Sequence, residues 1–394
     1  MEKKSYPYIF VPGMAGWGET SKLNAVLPYW GFAQFDIVEN VRKLGFEAYA
    51  ASVAPLGSAW DRACELYAQL AGGRVDYGKA HSEKYGHARY GKTFDRPLFA
   101  GWGEPDADGD VRKIHLICHS FGGVTARIMS YLLANGSAEE RAATTDGSLS
   151  PLFAGGHGGR IFSITTYSAP HDGTDMEHAL GHPLSDLVAG AYFFANYVSA
   201  NTPLRSVYDV QLEHFNIGKK TRSLGLHEIH TFKKSGDTVF YDVDVDGSRR
   251  INRAICAQDD VYYFSFPVCG TSAKGEHKQT PSKAMLPGLR LFADLIGRYR
   301  ETTPHGNVCD DAWLPNDGVV NTLSARAPSS EPSVEYQKDK PTPKGVWNVM
   351  PTLVGDHGSV VGWFRPERTT MPLYLLQIKR LEALAEPELA GQKG

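Results

Sequence analysis

No stretch of this chain approaches the roughly 20 consecutive apolar residues that a membrane-spanning helix needs, so a helical span is excluded. Cysteine is scarce: Cys64, Cys118, Cys256, Cys269 and Cys309 are five among 394 residues. No two share a C-x-x-C spacing, and an odd number cannot all pair within one chain. Free thiols are therefore expected, with Cys256 and Cys269 the one pair that could meet across a strand. Cys118 reads as a small, inert hydrophobe. Neither sign of charge dominates, with 41 Lys and Arg against 44 Asp and Glu, for a formal net charge of −3. Without a basic run or a basic excess, nucleic acid and anionic membranes are set aside as partners. Internal repeats are absent too. The opening MEKKSYPYIFVPG enters a strand at once and holds no apolar signal core.

What is present points to a large mixed core. Hydrophobic residues make up 42% of the chain, and α/β enzymes of this length are often one domain carrying insertions. The run from Tyr6 to Val11 reads as a buried strand ending in a Pro-Gly turn. From Gly31 to Leu44 the apolar residues follow a helical stripe, and the segment from Phe46 to Val53 returns as a strand. Ser58 to Leu70 reads as a helix capped by Ser58 and stopped by Gly72-Gly73. Strand, turn and helix recur over 111–135, with further strands expected near 160–168, 238–245 and 261–266. Such alternation predicts a mainly parallel sheet covered by helices on both faces.

Three stretches break the rhythm. Residues 75–109 are rich in Gly, His, Tyr and Asp and lack a period. The insertion 172–234 opens apolar, from Leu184 to Val198, and turns polar and basic, which is what a lid over an active site requires. The Pro-, Ser- and Lys-dense stretch from Ala325 to Gly345 predicts a surface loop.

The chemistry begins at His119-Ser120-Phe121-Gly122-Gly123, between an apolar strand and a helix. A serine at so tight a turn is the layout of a nucleophile elbow, which lifts Oγ clear of the sheet above a helix N-terminus. Small neighbours let strand and helix approach, and Cys118 stands where the first glycine is usual. A serine needs a base, and the base a carboxylate, in the chain order Ser, acid, His. His357, in a glycine-bracketed loop after the last candidate strand, is the best base. Asp317, in an Asn-Asp-Gly turn, is the best acid, with Asp310 and Asp311 its rivals and Asp356 too close to the histidine. Two backbone N–H groups must face the developing oxyanion. Phe121, directly after the nucleophile, supplies one, and Met14 in Pro12-Gly13-Met14-Ala15-Gly16 is the choice for the other.

With these segments in view, the chain resembles the thermoalkalophilic, zinc-containing lipases of Gram-positive bacteria, within the α/β-hydrolase superfamily. The strongest stretches are Pro12–Gly18, Trp60–Glu65, Gly73–Arg89, the serine elbow, Thr165–Thr174, Leu314–Thr322 and Gly345–Asn348. The resemblance implies an α/β-hydrolase fold, the triad Ser120, Asp317 and His357, a helical lid and an extracellular enzyme. It also implies a structural zinc on Asp61, His81, His87 and Asp242, pinning the 75–109 insertion to a strand after the lid. The family's calcium site uses carboxylates shortly after the catalytic histidine. Here that stretch, from Gly358 to Arg365, holds no acid, so calcium is predicted absent.

The expected function is a serine carboxylic-ester hydrolase, a triacylglycerol lipase or carboxylesterase acting on lipidic esters and on polyesters, with the lid touching a lipid interface. The alternatives are a short-chain esterase, an acyltransferase, and a non-catalytic module that kept the fold.

Overall fold

The computed structural model describes residues 5–106, 109–181, 206–209, 211, 214 and 235–390. Its core is a seven-stranded sheet whose strands all pair in parallel. In chain order the elements that matter are β1 (Tyr8–Val11), α1 (Ile37–Lys43), β2 (Ala48–Ala50), α2 (Ala59–Ala71), β3 (Gly73–Asp76), α3 (Lys79–Tyr85) and β4 (Tyr90–Phe94). There follow β5 (Ile114–His119), α4 (Gly122–Asn135), β6 (Ile161–Tyr167), β7 (Tyr262–Phe266), β8 (Ser333–Glu335) and β9 (Trp347–Val349). Across the sheet the order is β8-β9-β7-β6-β5-β1-β2.

Burial on both faces explains why the central strands read as nearly continuous apolar runs. On β1, Ile9 and Val11 pack into one core with Leu116, Cys118 and residues of α2 and α4. Tyr8 and Phe10 face the other way, toward Ile37, Val38 and Val41 of α1 and toward Tyr374, Ile378 and Leu381 of the C-terminal helix Glu367–Ala390.

Helix α1 is shorter than its apolar stripe. Gly31 and Phe32 both sit at positive φ (114° and 55°), and Asp36 caps the helix by accepting from the Glu39 N–H. The Ala325–Gly345 loop contributes the exposed edge strand β8. The patternless 75–109 insertion is organised after all: β3 and β4 pair antiparallel, and α3 lies between them. Residues 238–245 form no strand. Thr238 caps a helix, Val239–Val243, and Asp244 caps the next, Val245–Ala254. The apolar stretch from Leu184 to Val198, with most of the expected lid, lies outside the described residues. All five cysteines are free, and burial pushes the Cys118 thiol well up.

Three buried histidines hydrogen-bond hydroxyls or a carbonyl in place of a carboxylate. Burial depresses His115 and His119 to about 3 and drives His171 well below the ordinary value. The unfolded chain therefore binds more protons than the native one from about pH 6.5 downward, so stability held above that pH is lost as pH falls toward 3. His115 and His119 are each expected to remove about 2 kcal/mol by pH 5, and His171 acts in the same direction. Urea unfolding at pH 7 and pH 5, in excess chelator so that metal release makes no contribution, checks this. An unfolding free energy unchanged between the two would contradict it.

Candidate active site

Ser120 follows β5 directly and holds φ +53°, the left-handed conformation that a sharp elbow demands of a non-glycine residue. Gly122 makes the turn possible: a Cβ there would lie 2.3 Å from the Val11 carbonyl oxygen. Gly13 approaches as closely, since a Cβ on it would fall 2.8 Å from Ser120 Cβ and 3.2 Å from Oγ. The Pro12–Gly16 loop therefore lies against Ser120. Among the described residues, neither the Met14 nor the Phe121 N–H donates to a protein acceptor, as oxyanion donors require.

The sheet then gathers the partners at its C-terminal edge. His357 Nε2 stands 2.9 Å from Ser120 Oγ, and His357 Nδ1 stands 2.8 Å from Asp317 Oδ2. The two loops are also tied through the backbone, where the His357 N–H donates to the Asp317 carbonyl at 3.0 Å. Asp317 is fully buried. Burial pulls its carboxyl upward, but His357, the Ser168 hydroxyl and the Val320 N–H outweigh that and hold it below the usual range. Its Oδ1 accepts from the Val319 and Val320 N–H groups.

The rivals for the acid are engaged elsewhere. Asp310 caps the turn Asp311–Trp313, Asp311 pairs with Arg300 and His277, and Asp356 holds Arg365 and the Leu286 N–H.

Four further residues support this site, none of them assigned a role from the sequence. Ser168, itself at φ +53°, donates to Asp317 Oδ2 and lies 3.3 Å from His357 Nδ1. His119 Nε2 lies 2.9 Å from the His357 carbonyl, and its Nδ1 lies 2.6 Å from the Tyr29 hydroxyl, which accepts from the Gly13 N–H. This chain couples the loop beneath the oxyanion position to the backbone of the base. Buried Arg62 spreads its guanidinium over Pro12 O, Ala54 O and Thr125 Oγ1, fixing the same loop against α4. The stretch Trp60–Glu65 marked that region in the sequence without singling out Arg62.

A second constellation lies over the N-terminus of α2. Asp61, His81, His87 and Asp237 each present one ligand atom within 4.8 Å of the others. Asp61 Oδ1, Asp237 Oδ1, His81 Nε2 and His87 Nε2 are buried without a hydrogen-bond partner. His87 Nδ1, 3.0 Å from the Ala88 carbonyl, takes the donor role and leaves Nε2 with a lone pair. Two imidazoles and two carboxylates, orphaned and convergent, fit a four-coordinate zinc ion.

Asp242, the carboxylate expected from the sequence, stands outside this group. Because 239–243 is helical, its side chain turns to the start of α2 and accepts the Ala59 N–H at 2.8 Å, with Arg250 at 3.4 Å. Asp237 enters the group instead, from the turn just before the Thr238 cap. His214 adds an unforeseen contact, its Nε2 2.6 Å from Asp61 Oδ2.

Comparison with known proteins agrees with this architecture. The family model described as lipase-like, C-terminal domain matches residues 4–368. Lipase 2 of Staphylococcus aureus is 34% identical over 368 residues, covering 91% of this chain and 50% of that protein. The chain thus spans about half the length of the curated relatives it matches. Staphylococcus hyicus lipase superposes with a TM-score of 0.83 at 30% identity, over 98% of both chains. Lipase 1 from Pelosinus fermentans gives 0.78 at 36% identity, again over 98% of both. With a parallel sheet, a serine elbow and these relatives together, the chain belongs to the lipase-like C-terminal domain family, that of the Gram-positive bacterial lipases, on an α/β-hydrolase fold.

Proposed function

We propose that this chain is a serine carboxylic-ester hydrolase of lipidic esters, a lipase or carboxylesterase working through an acyl-enzyme. The observation that carries the reading is the unbroken line from Ser120 Oγ to His357 to buried Asp317, at 2.9 and 2.8 Å, starting on a positive-φ elbow. Ser120 Oγ attacks the ester carbonyl as His357 Nε2 takes its proton, and Asp317 holds the imidazole with Nδ1 protonated. The Met14 and Phe121 N–H groups stabilise the tetrahedral oxyanion. His357 then returns the proton to the departing alcohol. Water, activated by the same base, releases the acid.

Asp61, His81, His87 and Asp237 would hold a structural zinc that cross-links α2 and the β3–β4 insertion to the segment after residue 235. Four protein donors leave no position for substrate, so the ion would supply stability and not reaction chemistry. The relatives named as lipases support lipidic esters as the substrate class. In the same reading the insertion 172–234 serves as a lid that meets a lipid interface, and the enzyme works outside the cell.

Hydrolysis of p-nitrophenyl esters from acetate to palmitate tests the substrate class. Long chains are expected to be cleaved at least as well as short ones. Cleavage of short chains alone would make this a short-chain esterase. If no ester in the series were turned over, the hydrolase reading would fall in favour of a non-catalytic fold.

A further inference from the structure

A second group of donors lies where the helix Met176–Leu180 meets the start of the helix Val245–Ala254. One ligand atom each from His178, Asp244 and Asp246 falls within 4.8 Å of the others. His178 Nε2 and Asp244 Oδ1 pair at 2.9 Å, and neither of these buried atoms has a further hydrogen-bond partner. The remaining oxygen of Asp244 is occupied, since Oδ2 accepts the Asp246 N–H. Asp246 Oδ1 is steadied from behind by the Thr303 hydroxyl at 2.6 Å and the Asn307 amide at 2.5 Å. Such outer hydrogen bonds orient carboxylates that ligate metals.

Asp175 supplies the independent observation. It is completely buried, and neither of its carboxylate oxygens has a hydrogen-bond partner. It stands at the N-cap of the Met176–Leu180 helix that carries His178. Three carboxylates thus gather with one imidazole around this helix, Asp175 fully buried and His178, Asp244 and Asp246 half-buried. Asp175 leaves both oxygens unpaired, and Asp244 Oδ1 meets His178 alone. Like charges so arranged repel, and a cation between them removes the repulsion.

We propose that His178, Asp244 and Asp246, with Asp175 supplying further negative charge, form a second divalent-cation site, distinct from the Asp61–His81–His87–Asp237 cluster. One imidazole among carboxylates suits a borderline transition-metal ion such as Zn²⁺ or Mn²⁺ better than Ca²⁺, which takes oxygen donors alone. The ion would fasten the segment before residue 182 to the one after residue 243. These segments already touch through the Thr174 N–H and the Val243 carbonyl at 2.8 Å. The first cluster would fasten the returning segment at Asp237, so two clasps would hold it, one on each side of Thr238.

Metal content after chelation and reloading with Zn²⁺ or Mn²⁺ tests the site, with excess ion removed by gel filtration. Wild type is expected to retain two ions, and His178→Ala and His87→Ala one each. In the His87→Ala background, added Zn²⁺ is expected to raise the melting temperature, and the further change His178→Ala to abolish the rise. Asp244 caps a helix, so Asp244→Asn could unfold locally. The partly exposed His178→Asn, checked by circular dichroism, is the milder control. Equal metal content in wild type and the His178 variants would overturn the proposal, as would a lone ion lost entirely with His87→Ala. The site is independent of ester hydrolysis, and His178→Ala is expected to keep that activity.

Discussion

Ser120→Ala is expected to lower kcat on p-nitrophenyl esters by roughly 10⁴–10⁶-fold while leaving the melting temperature nearly unchanged. The size of the loss follows from geometry. Oγ is the only atom removed, and its hydrogen bond is to the His357 Nε2 that would take its proton. The small effect on stability follows from the same environment. The positive φ persists in alanine, and the Ser120 N–H still donates to the Tyr167 carbonyl at 2.9 Å. Steady-state kinetics beside a thermal melt separates the two quantities. Activity retained above about one per cent would displace Ser120 as nucleophile. An inactive variant with a collapsed melting temperature would mean that the loss reported unfolding and not chemistry.

Loss of the zinc proposed for Asp61, His81, His87 and Asp237 should have the largest effect on stability. A ligand present at 1,000 times its dissociation constant stabilises the native state by about 4 kcal/mol. His87→Ala and Asp237→Ala are each expected to forfeit this order of stability and to lose the response to Zn²⁺ at that cluster. Asp242→Asn distinguishes the structure from the expectation drawn from the sequence. It is expected to keep that zinc, because Asp242 holds the Ala59 N–H and Arg250 and stands outside the group. It should lose only the roughly 1 kcal/mol typical of a helix-cap contact. Zinc titration of the three variants followed by unfolding checks the ordering. Retention of metal by Asp237→Ala together with its loss from Asp242→Asn would reverse the assignment.

The error at Asp242 has a physical origin. Val239-Phe240-Tyr241-Asp242-Val243 is rich in β-branched and aromatic residues, so it reads as a strand. The caps decide otherwise. The Thr238 hydroxyl accepts the Tyr241 N–H and the Asp244 carboxylate accepts the Asp246 N–H, which commits the backbone to two short helices. Gly247 lets them pack, since a Cβ there would lie 1.7 Å from the Tyr241 carbonyl oxygen. Once the segment is helical, Asp242 points toward the start of α2, and the carboxylate that reaches His81 and His87 comes from the preceding turn.

The sequence by itself determined the features that depend on neighbours along the chain. Apolar runs with two covered faces identified β1 and β5, and the Ser120 elbow with its glycines was legible because tight turns restrict residue type locally. The chain order of nucleophile, acid and base narrowed the partners to His357 and a carboxylate near Asp317. Only the tertiary structure decided which groups converge. Asp317, and not Asp310 or Asp311, meets His357 because its loop hydrogen-bonds the His357 backbone, and Ser168, Tyr29, His119 and Arg62 join the site across separations that no periodicity records. The same holds for Asp237 and for the buried, unpartnered Asp175. Local propensity encodes backbone conformation and burial, whereas a cation cluster or a hydrogen-bond line is set by where distant segments meet.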